Sequence, residues 1–200
     1  LPQLYGKLLL HKLLDALPPN SNILNVGVKR GLHTHHFIDQ GHTVFGVSPM
    51  KQKMYHDKFI YHQCLLEDLE IDGVDAIWSS MTIEHTPNPG LFLRKCLDIL
   101  DDGKLFAIVA PSDRNNILVD GHLNFWTPAS LIYNMVVAGW DCKEAIWYTK
   151  GRDIGLLVRK SKRPEIELEY DNGDLNRLQP YFPLPLIHRK TDPWIENNWS

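Results

Sequence analysis

The stretch Ile23-Leu24-Asn25-Val26-Gly27-Val28-Lys29-Arg30-Gly31 decides how the rest of the chain is read: an apolar run stops in a glycine turn and passes into the helix-like Leu32 to Gln40. Glycine permits backbone conformations and close approaches that a Cβ forbids, and the first N–H groups of a helix point at whatever docks there. The turn is the first candidate ligand site. On its own spacing it is equally a tight turn at the end of a buried strand, so its neighbours must decide.

Downstream, Gly41 ends the helix and Thr43-Val44-Phe45-Gly46-Val47 reads as a second strand, which completes a βαβ unit of roughly 30 residues. A helix-compatible stretch near Pro49 to Asp57 precedes Phe59-Ile60-Tyr61 as the third strand, and Val74 to Trp78 reads as the fourth. Pro89 opens a helix carrying Leu91, Phe92, Leu93, Cys96, Leu97 and Leu100, followed by the strand Leu105 to Val109 and a helix from Thr127-Pro128 through Ala138. Lys143 to Tyr148 and Ile154 to Val158 then form a hairpin, an antiparallel edge on an otherwise parallel sheet. Upstream, leucines at helical spacing from Leu4 to Leu17 form an opening helix that Pro18-Pro19 stop.

Two hundred residues, 44% of them hydrophobic, suit one domain with a terminal extension: a domain over 1–160, and 161–200 as a polar, proline-rich extension. That extension is expected to lie over the domain or at an interface, pinned by Tyr181, Phe182, Trp194 and Trp199. The net charge of -3 gives no global attraction to nucleic acid or anionic membranes, and Arg159-Lys160 with Lys162-Arg163 reads as a solvated boundary. No apolar run approaches the roughly 20 residues that cross a bilayer. Cys64, Cys96 and Cys142 lie far apart without C-x-x-C spacing, as buried thiols of a reducing compartment do, so a cytoplasmic location is expected. The histidines at 33, 35, 36 and 42 lack an accompanying cysteine or carboxylate set, and no metal is expected there.

The order of elements and several local strings resemble the class I S-adenosylmethionine-dependent methyltransferases, in particular the small-molecule, ubiquinone-biosynthesis-like group. The resemblance runs from about Leu4 to Lys160. It rests on Ile23 to Gly31, on Gly41 to Val47, on Val74 through Ser79-Ser80-Met81-Thr82-Ile83-Glu84-His85-Thr86-Pro87-Asn88-Pro89, on Leu97 to Pro111, and on Gly121-His122-Leu123-Asn124-Phe125-Trp126-Thr127-Pro128 with Gly139-Trp140. It implies a Rossmann-like α/β fold: a seven-stranded, mostly parallel sheet with helices on both faces and a C-terminal antiparallel hairpin.

The resemblance implies S-adenosylmethionine as cofactor, with Asn25, Gly27, Val28, Lys29, Gly31, Ser48, Leu66, Ser79 and Met81 as its binding positions. Three of these depart from the family pattern, which carries an acid where this chain has Asn25, a glycine where it has Lys29, and a ribose-gripping acid where it has Ser48. A carboxylate accepts both ribose hydroxyl protons, whereas one serine oxygen makes a weaker contact, so binding is expected to be weak or lost. Lys29 and Arg30 at a helix start equally suit a ligand more anionic than S-adenosylmethionine.

Methyl transfer from a sulfonium is an in-line displacement in which positioning does most of the work, and an oxygen nucleophile needs a base near neutrality, a task suited to histidine. His85 and His122 stand where the resembling family has active-site loop residues, although both also suit bracing of their loops. The leading expectation is transfer to an oxygen or nitrogen atom of a small-molecule acceptor, without nucleic-acid or membrane partners and with a homodimer open. The alternative is a catalytically inactive domain serving as a binding or assembly module.

Overall fold

Successive side chains along a strand point to opposite faces, and the central strands here are apolar at nearly every position, so the sheet must be covered on both sides. The computed structural model describes residues 4–112, 118–170 and 173–183 and shows this arrangement. Its strands are β1 (Asn22–Val26), β2 (Thr43–Val47), β3 (Phe59–His62), β4 (Ala76–Ser80), β5 (Leu105–Pro111), β6 (Ile146–Lys150) and β7 (Asp153–Arg159). They form one seven-stranded sheet in the order β3-β2-β1-β4-β5-β7-β6, with β7 antiparallel to both its neighbours and the other pairs parallel. The order reverses between β1 and β4, where open sheets of this kind part to form a ligand crevice.

Ile23, Val44, Ala76, Trp78, Ala107 and Val109 pack on one face with Leu9, Leu10 and Leu13 of α1 (Lys7–Ala16) and Phe37 of α2 (Leu32–Asp39). Leu24, Val26, Ile77, Phe106 and Ile108 pack on the other face. Their partners are Phe92, Leu93 and Cys96 of α3 (Pro89–Ile99) and Leu131 and Met135 of α4 (Pro128–Val137). Each fully buried Leu or Phe contributes about 1.5–3 kcal/mol, so the two layers, not the helices' own propensities, hold the sheet. Asn88 accepts the Leu91 N–H at 3.0 Å before Pro89, and Thr127 with Ser130 forms a capping box before Pro128, which fixes where α3 and α4 begin.

Two local expectations are corrected. Residues 51–56 adopt no helix, because side chains take the backbone groups a helix would use. Gln52 Oε1 accepts the Lys53 and Met54 N–H groups at 2.7 and 3.2 Å, and the Tyr61 hydroxyl donates to the carbonyls of Ser48, at 2.8 Å, and Met50. The fourth strand begins at Ala76 rather than Val74, since Asp75 accepts the Asn22 N–H at 2.8 Å and pairs with Lys104 at 2.6 Å; it runs on through Ser79 and Ser80 opposite Ile108 and Val109.

Of the extension, the described part packs against the domain. Leu178 of α5 (Asp174–Leu178) and Phe182 are buried, Phe182 stacks on Tyr133 at 6.0 Å, and Arg163 lies over the Tyr181 ring at 4.9 Å. Trp194 and Trp199 lie outside the described residues. Cys96 and Cys142 are buried and Cys64 half-buried, all three as free thiols. No helix among the described residues is long and apolar enough to cross a membrane.

The start of β2 carries a pH-sensitive joint. The Ser21 N–H donates to His42 Nδ1 at 3.1 Å, which requires that nitrogen to keep its lone pair, and burial followed by the Lys58 charge lowers the pKa of His42 below 6.5. A histidine with a depressed folded pKa contributes stability that is fully present above its unfolded pKa and is lost as pH falls through the lower folded value. Denaturant unfolding is therefore expected to show stability falling as the pH is taken below about 6.5. In His42→Asn the amide oxygen still accepts from Ser21 without titrating, so the slope should be shallower; an unchanged slope contradicts the assignment.

Candidate active site

The glycine turn leaves β1 with Gly27 at φ 81°, accepts no register beyond Val26, and re-enters helix at Gly31, whose φ of 74° makes it the left-handed residue before α2. The Gly27 N–H donates to the Val47 carbonyl at 2.9 Å and the Gly31 N–H to the Val28 carbonyl at 2.8 Å, so the turn is anchored at both ends. Thr82, just past β4, sits on Gly27 and donates to the Val26 or Ser80 carbonyl, each at 3.2 Å. A Cβ on Gly27 would stand 3.0 Å from Thr82 Cγ2 and closer still to its hydroxyl. Lys29 also adopts a left-handed conformation, φ 47°, and Gln52 Nε2 donates to its carbonyl at 3.0 Å.

Between this turn and the end of β4 lies a cavity of about 460 Å³, to which Gly27, Val28, Lys29, Arg30, Ser80 and Met81 contribute, with Tyr5, Leu32 and His33 closing it from the side of α1 and α2. His33 Nε2 donates to the Tyr5 carbonyl at 2.9 Å, and the Gly6 N–H donates to Asp153 at 3.0 Å, so the segment before α1 is strapped across the opening. Burial is the main reason that the pKa of His33 lies below its ordinary 6.5, with the charges of His36 and Lys29 acting the same way. Ser80 is 7% exposed and its hydroxyl has no hydrogen-bond partner among the described residues.

Of the positions that the resemblance assigns to a cofactor, Gly27, Val28, Lys29 and Met81 line this cavity. Gly31 lies at the turn's far end. Asn25 is buried and its amide donates to Thr34 Oγ1 at 2.8 Å, while Ser48 Oγ accepts the Met50 N–H at 3.2 Å. Both are engaged within the chain. Leu66 is buried in the core layer with Val26 and Val47. Ser79, whose hydroxyl also has no partner among the described residues, falls on the α3 and α4 side of the sheet by strand alternation, so it is its neighbour Ser80 that reaches the cavity. Adjacent serines at a strand end carry no sequence mark of which one faces the ligand.

Two residues past Met81 a 3₁₀ turn, Ile83–His85, carries the second feature of the site. Glu84 is 1% exposed, His85 Nε2 lies 3.7 Å from its Oε1, and the rings of His85 and His122 meet edge to face at 5.0 Å. His85 Nδ1 donates to the Gly121 carbonyl at 2.8 Å, which turns Nε2 towards the Glu84 carboxylate. The loop is tied from the backbone too: the Leu123 and Asn124 N–H groups donate to the Glu84 carbonyl at 2.7 and 3.2 Å. The two histidines picked out by position in the sequence thus come together, with the Glu84 carboxylate beside them. Ligand atoms of Glu84, His85 and His122 all lie within 4.8 Å of one another, so this trio, rather than the histidines of α2, is the group among the described residues with the spacing to hold a metal ion.

Residues 24–108 match the family model described as a methyltransferase domain. No curated protein matches the chain in sequence. Among solved structures, the chain is similar to Burkholderia thailandensis 1,6-didemethyltoxoflavin-N1-methyltransferase, crystallised with 1,6-didemethyltoxoflavin and S-adenosylhomocysteine, at 15% identity and a TM-score of 0.65 over 78% of each chain. It is similar to a chain of the complex between the Haloferax volcanii Trm112 methyltransferase activator and a methyltransferase, at 18% identity and a TM-score of 0.60, over 67% of this chain and 66% of that one. It is also similar to the [4+2]-cyclase SpnF, at 15% identity and a TM-score of 0.57, over 66% of this chain and 55% of that one. At such identities the structural likeness carries the fold, and the cyclase illustrates that one fold serves more than one reaction. With the family model running from β1 through the glycine turn and β4 into β5, and the sheet order completing the architecture, the chain has the Rossmann-like methyltransferase fold.

Proposed function

We propose that the cavity on the glycine turn holds S-adenosylmethionine and that the protein transfers its methyl group to an oxygen or nitrogen atom of a small molecule. The observation that carries this reading is the cavity itself: it lies where the strand order reverses, is floored by the turn and by Ser80 and Met81, and is followed at once by the Glu84, His85 and His122 group. The Ser80 hydroxyl, without a partner among the described residues, suits a polar ligand. When bound, the cofactor supplies an electrophilic methyl carbon whose sulfur leaves as a neutral thioether.

The chain's own part is positioning and proton removal. The strapped segment at Tyr5 and Gly6 excludes water from one side of the cavity. His122 or His85 takes the acceptor's proton, and the buried Glu84 carboxylate, 3.7 Å from His85 Nε2, pairs with the imidazolium that results. Leu118, Val119, Leu123 and Phe125 are exposed on either side of His122 and offer an apolar surface to the acceptor. Incubation with S-adenosylmethionine labelled in its methyl group and a panel of phenols, carboxylic acids and amines tests the reading. Label appearing in an acceptor supports it; label left wholly in the cofactor at high protein concentration counts against it.

A second reading, a domain that keeps the fold without transferring methyl groups, draws on one observation. The Asn25 amide and the Ser48 hydroxyl, at positions where the resemblance expects ligand-binding acids, are both spent on partners inside the chain.

A further inference from the structure

We infer that Glu84, His85 and His122 form a binding site for zinc or a similar transition-metal ion, and that an ion held there blocks the histidine base. The site does not depend on the proposed methyl transfer; the blocking rests on it. One carboxylate oxygen and one nitrogen of each imidazole all lie within 4.8 Å of one another, and His85 Nε2 is 3.7 Å from Glu84 Oε1. Ligands about 2.1 Å from a tetrahedral zinc stand roughly 3.4 Å apart, so small side-chain rotations close the set. Two imidazoles with one carboxylate suit zinc, whereas magnesium and calcium take oxygen ligands. Among the described residues no other group of histidines, cysteines and carboxylates has this spacing.

The surroundings prepare these ligands. A histidine that binds a metal through one nitrogen commonly donates the other N–H to a carbonyl, and the bond from His85 Nδ1 to Gly121 is of that kind, with Nε2 directed at Glu84. That hold needs a glycine: a Cβ at Gly121 would stand 3.2 Å from His85 Nδ1. Glu84 is 1% exposed, so its charge acts on a neighbouring cation with little screening. The two loops are tied together without an ion, through the Leu123 and Asn124 N–H groups on the Glu84 carbonyl and Asn124 Nδ2 on the Thr86 carbonyl at 2.7 Å. His85 is exposed and gives an ion a way in from solvent. Three ligands from the chain leave a fourth position open. An ion there takes the nitrogen lone pairs that removal of an acceptor's proton requires.

The test is calorimetric titration of the full chain, stripped with a chelator and dialysed, with zinc chloride and separately with magnesium chloride. The expected result is one zinc ion per chain with a Kd of about 1 μM or tighter, and no competition from magnesium at the same concentration. Glu84→Gln and His122→Ala, each shown to be folded by circular dichroism, should bind zinc at least about tenfold more weakly. His36→Asn should leave the affinity unchanged, although it breaks up the His11–His36 pair stacked at 6.4 Å on α1 and α2. No zinc binding at roughly 100 μM, an affinity unmoved by Glu84→Gln and His122→Ala, or its loss in His36→Asn would overturn the site. Saturating zinc should also slow methyl transfer about tenfold or more, with the rate restored by chelator; a rate unchanged or raised would overturn the blocking. If the protein transfers no methyl group at all, the proposed function fails while the titration still decides the site.

Discussion

Gly27→Ala is expected to destabilise the protein by about 3 kcal/mol and to abolish ligand binding at the turn. Two costs add. A side chain in the left-handed region costs about 1–2 kcal/mol, and Gly27 has φ 81°. The new methyl also runs into Thr82, which is held in place by its own bonds to the carbonyls of Val26 and Ser80, and overpacking of this kind costs about 1–3 kcal/mol. Relief requires the β4 end to move away from β1, which displaces Ser80 and Met81 from the cavity. Urea unfolding checks the magnitude, and the double variant with Thr82→Ala should recover part of it by removing the hydroxyl and methyl groups that clash. A Gly27→Ala protein with unaltered stability would mean that the turn does not hold this geometry.

His122→Ala is expected to lower the rate of methyl transfer about 10²- to 10⁴-fold, the usual reach of a general base, while leaving affinity for the cofactor within about twofold. The separation follows from placement: His122 is in contact with His85 and Glu84 and does not line the cavity. Loss of fold is not expected, since the Glu84 carbonyl holds the backbone N–H groups of Leu123 and Asn124 whatever side chain stands at 122. Added imidazole should restore part of the lost rate. A mainly structural role would instead show as a lower unfolding temperature, cofactor affinity falling with the rate, and no rescue.

The fold was largely legible because its rules are local and repeated. Ile23 and Leu24, Ala76 and Ile77, and Leu105 and Phe106 alternate between two buried faces, and Pro89, Pro128 and Gly31 mark helix boundaries through backbone chemistry that any context preserves. The stretch from 49 to 57 escaped because polar side chains of Gln52 and Tyr61 captured backbone groups, a competition that apolar spacing does not register. At the site, the glycine turn could be singled out from its spacing, and the two histidines from the resemblance of their loops to the family's. The distinction between Ser79 and Ser80 could not be, nor the joining of residues 84 and 122 across 38 positions, because those depend on where β4 ends and on a loop folding back to it. The inward engagement of Asn25 by Thr34 likewise requires α2 to be laid against β1 before it can be seen.

The measurement that tests the cofactor cavity most directly is a two-dimensional amide NMR titration of the ¹⁵N-labelled chain with S-adenosylhomocysteine. The account predicts saturable shifts centred on Gly27, Val28, Lys29, Ser80 and Met81, the residues between which the cavity opens, with the buried core at Phe92 and Leu131 unmoved. Spectra unchanged at millimolar ligand, or saturable shifts confined to residues away from the glycine turn, would contradict it.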